Sequence, residues 1–290
     1  MGFKKPIVSV SGLCFTGSME KEMTKRDKHV ARDVYFARLR GHLDLEFRLL
    51  RTAIAAADPR EKVPSCPDWT ADRLAQHVAQ TYLHKVECIR RGSFPDHWPP
   101  AGLNPNPVGV LDEAYAALSG CFDEHRPSDT AATWHGPDQT VGFWIRRMCH
   151  ESVVHRVDAE LVAGLQLAPI PDDIALDGVD EFLVLFLGYL SREWPERFAD
   201  VLAGADPRPV RIETGGHDWT LTVEPGGVEV GRLLAADEVV YERGEAARID
   251  GKPGEMLLWL WGRAEDRAVR RVGDQSLVAQ LLELRGRATQ

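Results

Sequence analysis

The sequence lacks three features that would each define a class of protein. It has no uninterrupted run of about 18 apolar residues, as a membrane-spanning helix needs; the nearest approach, EFLVLFLGYL at 181–190, is about half that length. It has no excess of basic residues, since 35 Lys and Arg against 44 Asp and Glu give a formal net charge of −9. Phosphate backbones require a concentrated basic surface, so we expect neither a membrane nor a nucleic acid as partner.

Cysteine is scarce and is not arranged in pairs. The five cysteines are an odd number and form no C-x-x-C motif, which favours free thiols in a reducing cytoplasm over a disulfide framework. They are Cys14, Cys66, Cys88, Cys121 and Cys149. The N-terminal stretch MGFKKPIVSVSGLCFTGS is a poor signal peptide because Ser, Gly and Thr interrupt its apolar part. With Met19 or Met23 as alternative starts, we expect residues 1–26 to be an extension.

The composition that is present is that of a folded globular protein. Hydrophobic residues make up 44% and charged residues 27%, and 290 residues are enough for two domains. Apolar residues three and four apart predict helices, with Thr70 as the N-cap of the second one. The predicted helices span 34–57, 71–92, 111–124, 141–164 and 171–194. The Pro-rich stretch at 93–109 is predicted to be a loop, long enough for a functional rim.

The pattern changes after about residue 200. Alternating strand residues separated by Gly-Gly turns predict three strands from 209 to 232. A further strand at 245–253 and helices at 254–263 and 274–286 follow. We therefore predict a mainly α N-terminal four-helix bundle over 27–200 and a smaller α+β C-terminal domain over 207–290.

The stretch CHESVVH, at 149–155, contains the candidate metal ligands. In a zinc protease helix two His four residues apart bind the metal and a Glu beside the first is the base. Here His150 and His155 are five apart, which places them about 140° from each other round a helix, too far to share one ion. Glu151 and His155 are four apart and about 40° from each other, so their side chains can converge.

Two ligands on one helix need a third from a facing helix. His77 is the first candidate because it shares a face with Leu74 and should point into the core, and His84, seven residues later, is a reserve ligand. The spacing alone also fits a hydrogen-bonded Glu and His pair and a structural core histidine, without a metal.

Two segments, VPSCPDWTADRLAQHV (63–78) and TVGFWIRRMCHESVVHRVDAELVAG (140–164), resemble the mycothiol-dependent maleylpyruvate isomerase family of DinB-like helical metalloproteins. That family has a Cys-Pro-Gly-Trp segment, a His that follows it, and an Arg-Arg-Met-x-His-Glu-x3-His-Arg-x-Asp-Ala helix. This chain has Asp68 where Gly is usual. The stretch ARIDGKPGEMLLWLWGR (247–263) is similar to the family's sterol-carrier-like second domain, so the resemblance runs from about residue 30 to the end.

The resemblance implies that His77, Glu151 and His155 hold a divalent metal, with zinc as first candidate, and that mycothiol is the thiol cofactor. Three protein ligands leave a tetrahedral metal one open position. A thiolate held there could add to an activated double bond and leave again, giving cis–trans isomerisation, or could stay attached, giving S-transfer. A mycothiol S-transferase or thiol-exchange enzyme of detoxification or secondary metabolism, and a metal- or ligand-binding helical protein without turnover, are the alternatives.

Other residues near the motif are candidates for supporting roles. Arg147 and Arg156, like Arg146, could bind a substrate carboxylate, although ion pairing with nearby acids is an equal alternative. Asp158 could orient His155, with His150 or Arg156 as other partners within reach.

Several remaining side chains are expected to be structural. We expect Cys66 and Cys149 to be buried as small hydrophobic residues, His150 to be structural, and Trp259 and Trp261 to lie in the core. The sequence is compatible with a monomer or a homodimer, and the expected partners are a small electrophile and a low-molecular-weight thiol.

Overall fold

The computed structural model of the chain describes residues 24–233 and 246–289. Residues 1–23 of the predicted extension, which include Cys14, lie outside the described residues. The first described helix, α1, spans Lys25–Ala56. Thr24 and Asp27 form a capping box at its start, each side chain accepting a hydrogen bond from the other residue's backbone N–H. The helix therefore begins before the predicted residue 34, because this cap and not the apolar pattern determines its first turn.

Three further helices complete a four-helix bundle. A short antiparallel hairpin of β1 (Lys62–Val63) and β2 (Cys66–Thr70) leads into α2 (Ala71–Arg91). As predicted, Thr70 caps α2 by accepting a hydrogen bond from the Arg73 N–H at 3.2 Å. The other two helices are α3 (Pro107–Glu124) and α4 (Val141–Val162). Helix α1 packs along α4, and α2 packs along α3, so the predicted bundle is confirmed.

Helix α4 is the central helix of the molecule. It is buried on almost all sides, and its buried residues include charged and polar ones as well as apolar ones. A buried charge is unfavourable unless it is paired, so these side chains must find partners on the surrounding elements. The buried polar residues of α4 are Arg147, His150, Ser152, His155, Arg156, Asp158 and Glu160.

The predicted helix over 171–194 has an irregular middle. It begins as α5 (Asp172–Glu181), continues as a π-helix (Phe182–Tyr189) and ends as α6 (Leu190–Glu193). A 3₁₀ turn (Pro195–Arg197) and α7 (Ala199–Ala203) follow. The sequence predicted one continuous helix here, since an apolar run carries no local signal for a change to i→i+5 hydrogen bonding.

The C-terminal part contains a five-stranded sheet with helices, which confirms the smaller α+β domain. The strands are β3 (Val210–Thr214), β4 (His217–Glu224), β5 (Gly227–Leu233), β6 (Ala247–Gly251) and β7 (Arg270–Gly273). Their order in the sheet is β5-β4-β3-β6-β7, with β3 and β6 parallel and every other pair antiparallel. The helices are α8 (Pro253–Leu260) and α9 (Gln275–Ala288), with a 3₁₀ turn (Asp266–Ala268) between them. The exact boundaries 27–200 and 207–290 stay predictions.

Helix α8 packs against α5, so the C-terminal part is in contact with the helix that follows the bundle. Trp259 is fully buried, as predicted for a core residue, whereas Trp261 is only partly buried and lies against Phe186. Within the described parts of the chain, no helix combines the length and the apolar content that crossing a bilayer requires.

Candidate metal centre

Three side chains from two helices of the bundle converge on one point. His77 comes from α2, and Glu151 and His155 come from successive turns of α4. Their potential ligand atoms all lie within 4.8 Å of one another, and no other group of this kind occurs among the described residues. Nε2 of His77 is 3.4 Å, and Nε2 of His155 is 3.2 Å, from the same Oε1 atom of Glu151.

This donor set fits a divalent metal ion. Two imidazole nitrogens and one carboxylate oxygen are typical ligands of catalytic zinc, and donors about 2.0–2.2 Å from a tetrahedral ion are about 3.3–3.5 Å from each other. The observed separations of 3.4 and 3.2 Å are close to that spacing. Because these side chains already face one another, only small adjustments would bring all three onto one ion.

The centre lies at the edge of the bundle and not in its interior. His77 points toward α4, as its helix face predicts, but its side chain is 33% exposed and is therefore only partly buried. The β1–β2 hairpin places Trp69 beside it, with the rings of His77 and Trp69 4.5 Å apart. His155, which is 7% exposed, forms the deeper wall of the centre. A small molecule can therefore approach from the His77 side.

Asp158 orients the imidazole of His155. Oδ2 of Asp158 is 2.9 Å from Nδ1 of His155. With this carboxylate accepting a hydrogen bond from Nδ1, the neutral form of the ring, which is the form that binds a metal, has its lone pair on Nε2, the atom that faces the cluster. Of the three partners that the sequence left open for Asp158, the structure selects His155.

Charge strongly perturbs the titration of these groups. Burial opposes protonation of His155, but the carboxylates of Glu151 and Asp158 outweigh it and raise the pKa of His155 to about 9. Burial would raise the pKa of Glu151, but His155, His77 and Arg147 together hold it well below its usual range. The centre therefore keeps an ionised carboxylate, the form that binds a cation.

Arg263, which follows α8, connects the C-terminal part to the centre. Its Nε donates to Oδ1 of Asp158 at 3.0 Å and its Nη2 donates to Oδ2 at 2.9 Å. The Ser65 hydroxyl donates to the same carboxylate. Burial would raise the pKa of Asp158, but the hydrogen bonds from His155 and Arg263 keep it well below its usual value. No local pattern marks Arg263 as a site residue, because its partner is 105 positions away in the sequence.

Arg147 lies beside the cluster but is engaged by two carboxylates. Its Nη2 donates to Oε2 of Glu151 at 2.5 Å, and its Nη1 donates to Glu181. Both Arg147 and Glu181 are almost completely buried. Of the two alternatives for Arg147, substrate binding and ion pairing with nearby acids, the structure shows ion pairing, and one of its partners is a potential ligand.

Arg156 does not belong to the centre, so the structure does not support it as a substrate-binding residue. It is fully buried, and its guanidinium donates to Glu46, to Glu160 and to the Ala168 carbonyl. All of its nitrogens are used there, which assigns Arg156 to the packing of α4 against α1.

Three other candidate side chains also lie outside the centre. His84, the proposed reserve ligand, is not in the cluster: its Nδ1 is 3.4 Å from Sγ of Cys88. His150 is structural, as expected, with Nε2 2.6 Å from Oδ1 of Asp177. Arg146 donates to the same Asp177 oxygen at 2.7 Å and is not available to a substrate.

Lys85, on α2 two turns beyond His77, was missed by the sequence analysis. Its ammonium lies 4.7 Å from the centre of the Trp144 ring and 3.3 Å from Nδ1 of His84. Among the described residues no carboxylate lies within ion-pair distance of it. Burial lowers the pKa of Lys85, and the nearby charge of Glu151 opposes this shift. The ammonium of Lys85 is thus close enough to feel the charge of Glu151, but it has no ion-pair partner among the described residues.

The cysteines in the described part of the chain are free thiols, as predicted. Cys149 is buried, and burial raises the pKa of its thiol well above the usual value. Cys66 is half-buried beside Arg263, and burial also raises the pKa of its thiol. Both thiols are therefore protonated at neutral pH and are poor nucleophiles.

Comparisons with known proteins identify the family of the chain. Residues 41–160 match the family model for the mycothiol maleylpyruvate isomerase N-terminal domain, and residues 173–280 match the model for the MDMPI C-terminal domain. A search of curated protein sequences finds no significant match. The crystal structure of the mycothiol-dependent maleylpyruvate isomerase is similar to this chain, with 16% identity, a TM-score of 0.54, and coverage of 81% of this chain and 92% of that one.

A crystal structure of a histidine-to-alanine mutant of that isomerase matches equally well, with a TM-score of 0.54 and 16% identity. At this identity the solved structures establish only the common fold. The two family models together extend over most of the sequence, from within α1 to within α9. The chain therefore belongs to the mycothiol-dependent maleylpyruvate isomerase family.

Proposed function

We propose that this protein is a metal- and mycothiol-dependent enzyme that acts on a small electrophilic acid, with cis–trans isomerisation of the maleylpyruvate type as the first candidate reaction. The observation that carries the proposal is the convergence of His77, Glu151 and His155 within 4.8 Å at an accessible edge of the bundle. Membership of the family supports mycothiol as the thiol.

The proposed ligands are His77 Nε2, Glu151 and His155 Nε2. A divalent ion held by them would act as a Lewis acid that stabilises a thiolate at neutral pH, where a free thiol of pKa about 8.5 is only a few per cent ionised. None of the four described cysteines has an activated thiol, because burial raises the pKa of Cys66, Cys88, Cys121 and Cys149. This supports an external thiol as the source of the sulfur.

The protein residues then have separable tasks. Asp158 fixes the ring of His155 so that Nε2 faces the centre. Trp69 covers one side of His77 and limits access of water there. Lys85 supplies a positive charge without an ion-pair partner, which suits the carboxylate of an acidic substrate.

Metal analysis tests the proposed ligands. We expect the wild-type protein to bind about one equivalent of zinc, and His77→Ala and His155→Ala to lose it, because two remaining donors hold a catalytic zinc weakly. His84→Ala is a matched control on the same helix, and it should keep the metal. Equal metal content in all four proteins would contradict the proposed centre.

Turnover tests the reaction. Zinc-loaded protein with mycothiol and maleylpyruvate should produce the trans isomer, followed by proton NMR, and omission of either zinc or mycothiol should abolish the product. The same protein is also incubated with mycothiol and epoxide or halide electrophiles. Consumption of these compounds with formation of a thioether would identify an S-transferase. A metal-loaded protein that leaves every electrophile unchanged would contradict an enzymatic role.

A further inference from the structure

The pair formed by Arg147 and Glu181 is the buried charge cluster closest to the proposed centre. Glu181 is 1% exposed and Arg147 is 4% exposed. The guanidinium lies between two carboxylates, with Nη1 on Oε2 of Glu181 and Nη2 on Oε2 of Glu151 at 2.5 Å. Glu151 Oε1, the atom not used by Arg147, is the one that faces His77 and His155. One oxygen of Glu151 is thus fixed while the other points into the centre.

Two aromatic rings also pack against the guanidinium. The Cζ atom of Arg147 lies 5.0 Å from the centre of the Phe186 ring, in the π-helix, and 5.9 Å from that of Trp261, in the C-terminal part. These distances are within the range of cation–π attraction, which is stronger where water is excluded. Arg147 is therefore held by the carboxylate of Glu181 and by two neighbouring aromatic rings.

The π-helix accounts for the way Glu181 and Phe186 reach the same guanidinium. Residues five apart in an α-helix lie about 140° from each other and cannot face one partner. The π-helix Phe182–Tyr189 begins directly after Glu181, and its i→i+5 hydrogen bonding places residues five apart about one turn above one another. The irregular segment thus lets one element contact Arg147 through two side chains.

The charges of this cluster matter for a cation beside it. Arg147 alone would place a positive charge next to Glu151 and would weaken the attraction of that carboxylate for a metal ion. Glu181 neutralises Arg147, so Glu151 keeps both a fixed orientation and its negative charge. Oε1 of Glu181 has no hydrogen-bond partner among the described residues, although burial of an unpaired carboxylate oxygen is unfavourable. Packing alone does not account for a carboxylate at this position.

We propose that Glu181 is a positioning residue of the metal centre: through Arg147 it orients Glu151 toward the metal and preserves the negative charge of that ligand. The inference rests on the proposed metal centre. Glu181 lies at the end of α5, so it would add a third helix to a site otherwise built on α2 and α4.

Metal affinity of the full chain, measured by chelator competition with cobalt and zinc, tests this role without substrate. Glu181→Gln preserves shape but leaves the charge of Arg147 uncompensated beside Glu151, so we expect affinity to fall about 10-fold to 100-fold. The visible absorption spectrum of the cobalt-loaded variant should also change, because the orientation of Glu151 is no longer fixed.

Asp180→Asn is the matched control. Asp180 is the preceding residue, is 4% exposed, and also accepts hydrogen bonds from arginines, but it contacts neither Arg147 nor Glu151. Its variant should lose stability while keeping the cobalt affinity and spectrum of the wild type. An equal loss of affinity in Glu181→Gln and Asp180→Asn would overturn the proposal, since a general effect on folding would then explain both.

A double variant separates charge from structure. Adding Arg147→Met to Glu181→Gln removes the uncompensated positive charge, and we expect the double variant to bind cobalt about tenfold more tightly than Glu181→Gln alone. Affinity that falls further in the double variant would overturn the charge argument. If the wild-type protein bound neither metal, the proposed function and this role would both fail, whereas equal affinities of wild type and Glu181→Gln would remove only the role of Glu181.

Discussion

Nδ1 of His155 and Oδ2 of Asp158 are 2.9 Å apart, and the Asp158 carboxylate also accepts two hydrogen bonds from Arg263. The ring of one proposed ligand is therefore held by a buried carboxylate that is itself held by the C-terminal part of the chain. This continuous contact from Arg263 to His155 makes the geometry of the centre depend on the packing of the C-terminal part against the bundle.

Replacing Asp158 should weaken metal binding without removing a ligand. In Asp158→Asn the amide is a poorer acceptor for Nδ1–H of His155, so the ring loses its fixed orientation and some of its basicity. We expect metal affinity to fall about 10-fold to 100-fold, as is usual when such a supporting carboxylate is changed. Chelator competition measures this fall.

Asp177→Asn is the control for that experiment. Asp177, on α5, is the partly buried partner of His150, which lies on α4 like His155. Nε2 of His150 is 2.6 Å from Oδ1 of Asp177, and His150 is not part of the centre. This variant should be destabilised and should bind metal with wild-type affinity. Equal affinity of Asp158→Asn and wild type would contradict an orienting role of Asp158.

Replacing Arg263 should destabilise the whole chain. Arg263→Met leaves the buried carboxylate of Asp158 without its guanidinium partner, and breaking a buried ion pair by removing one partner costs about 3–5 kcal/mol. The free energy of unfolding, from urea titration, should decrease by an amount in this range. Arg270→Met removes an exposed pair with Asp250 and should change stability little. Similar decreases in the free energy of unfolding of both variants would contradict a larger contribution of the Arg263 ion pair to stability.

Lys85 should affect substrate binding more than turnover. In Lys85→Met the substrate carboxylate loses a charged hydrogen bond of about 1.5–3 kcal/mol, so KM should rise about 10-fold to 100-fold while kcat changes little. Initial rates with maleylpyruvate measure both constants. A neutral ester of the same electrophile should show no difference between variant and wild type, and an unchanged KM for the acid would exclude Lys85 from the binding site.

The parts of the site that the sequence predicted are those that depend on short-range spacing. Glu151 and His155 converge because four residues make about one helical turn, and Thr70 caps α2 through its own side chain. His77 was predicted as the third ligand from its helix face, although its exposure was not. Such features follow from local geometry, which a single sequence contains.

The parts that were missed depend on contacts between distant segments. Glu181 reaches Arg147 from 34 positions away, and Arg263 reaches Asp158 from 105 positions away. A buried arginine and an exposed one look alike in a sequence, so substrate binding and ion pairing stayed equal alternatives for Arg156, and the structure shows ion pairs with Glu46 of α1 and Glu160 of α4. The π-helix is likewise invisible, because it arises from how an apolar segment packs.

His84 should make the stability of the protein depend on pH in the mildly acidic range. Burial, and then the charge of Lys85, lower the pKa of His84 to about 4 in the folded protein, whereas the unfolded chain should titrate near its ordinary value of about 6.5. Between these values the unfolded state binds more protons, so stability is fully present above about pH 6.5 and decreases as the pH falls toward 4. His84→Gln cannot titrate and lacks this contribution, while the carboxylates titrate in both proteins. Urea titrations at several pH values should therefore show that the free energy of unfolding falls less steeply with decreasing pH in the variant than in the wild type, with no difference in slope above about pH 7. Equal slopes of the two proteins at every pH would contradict the lowered pKa of His84.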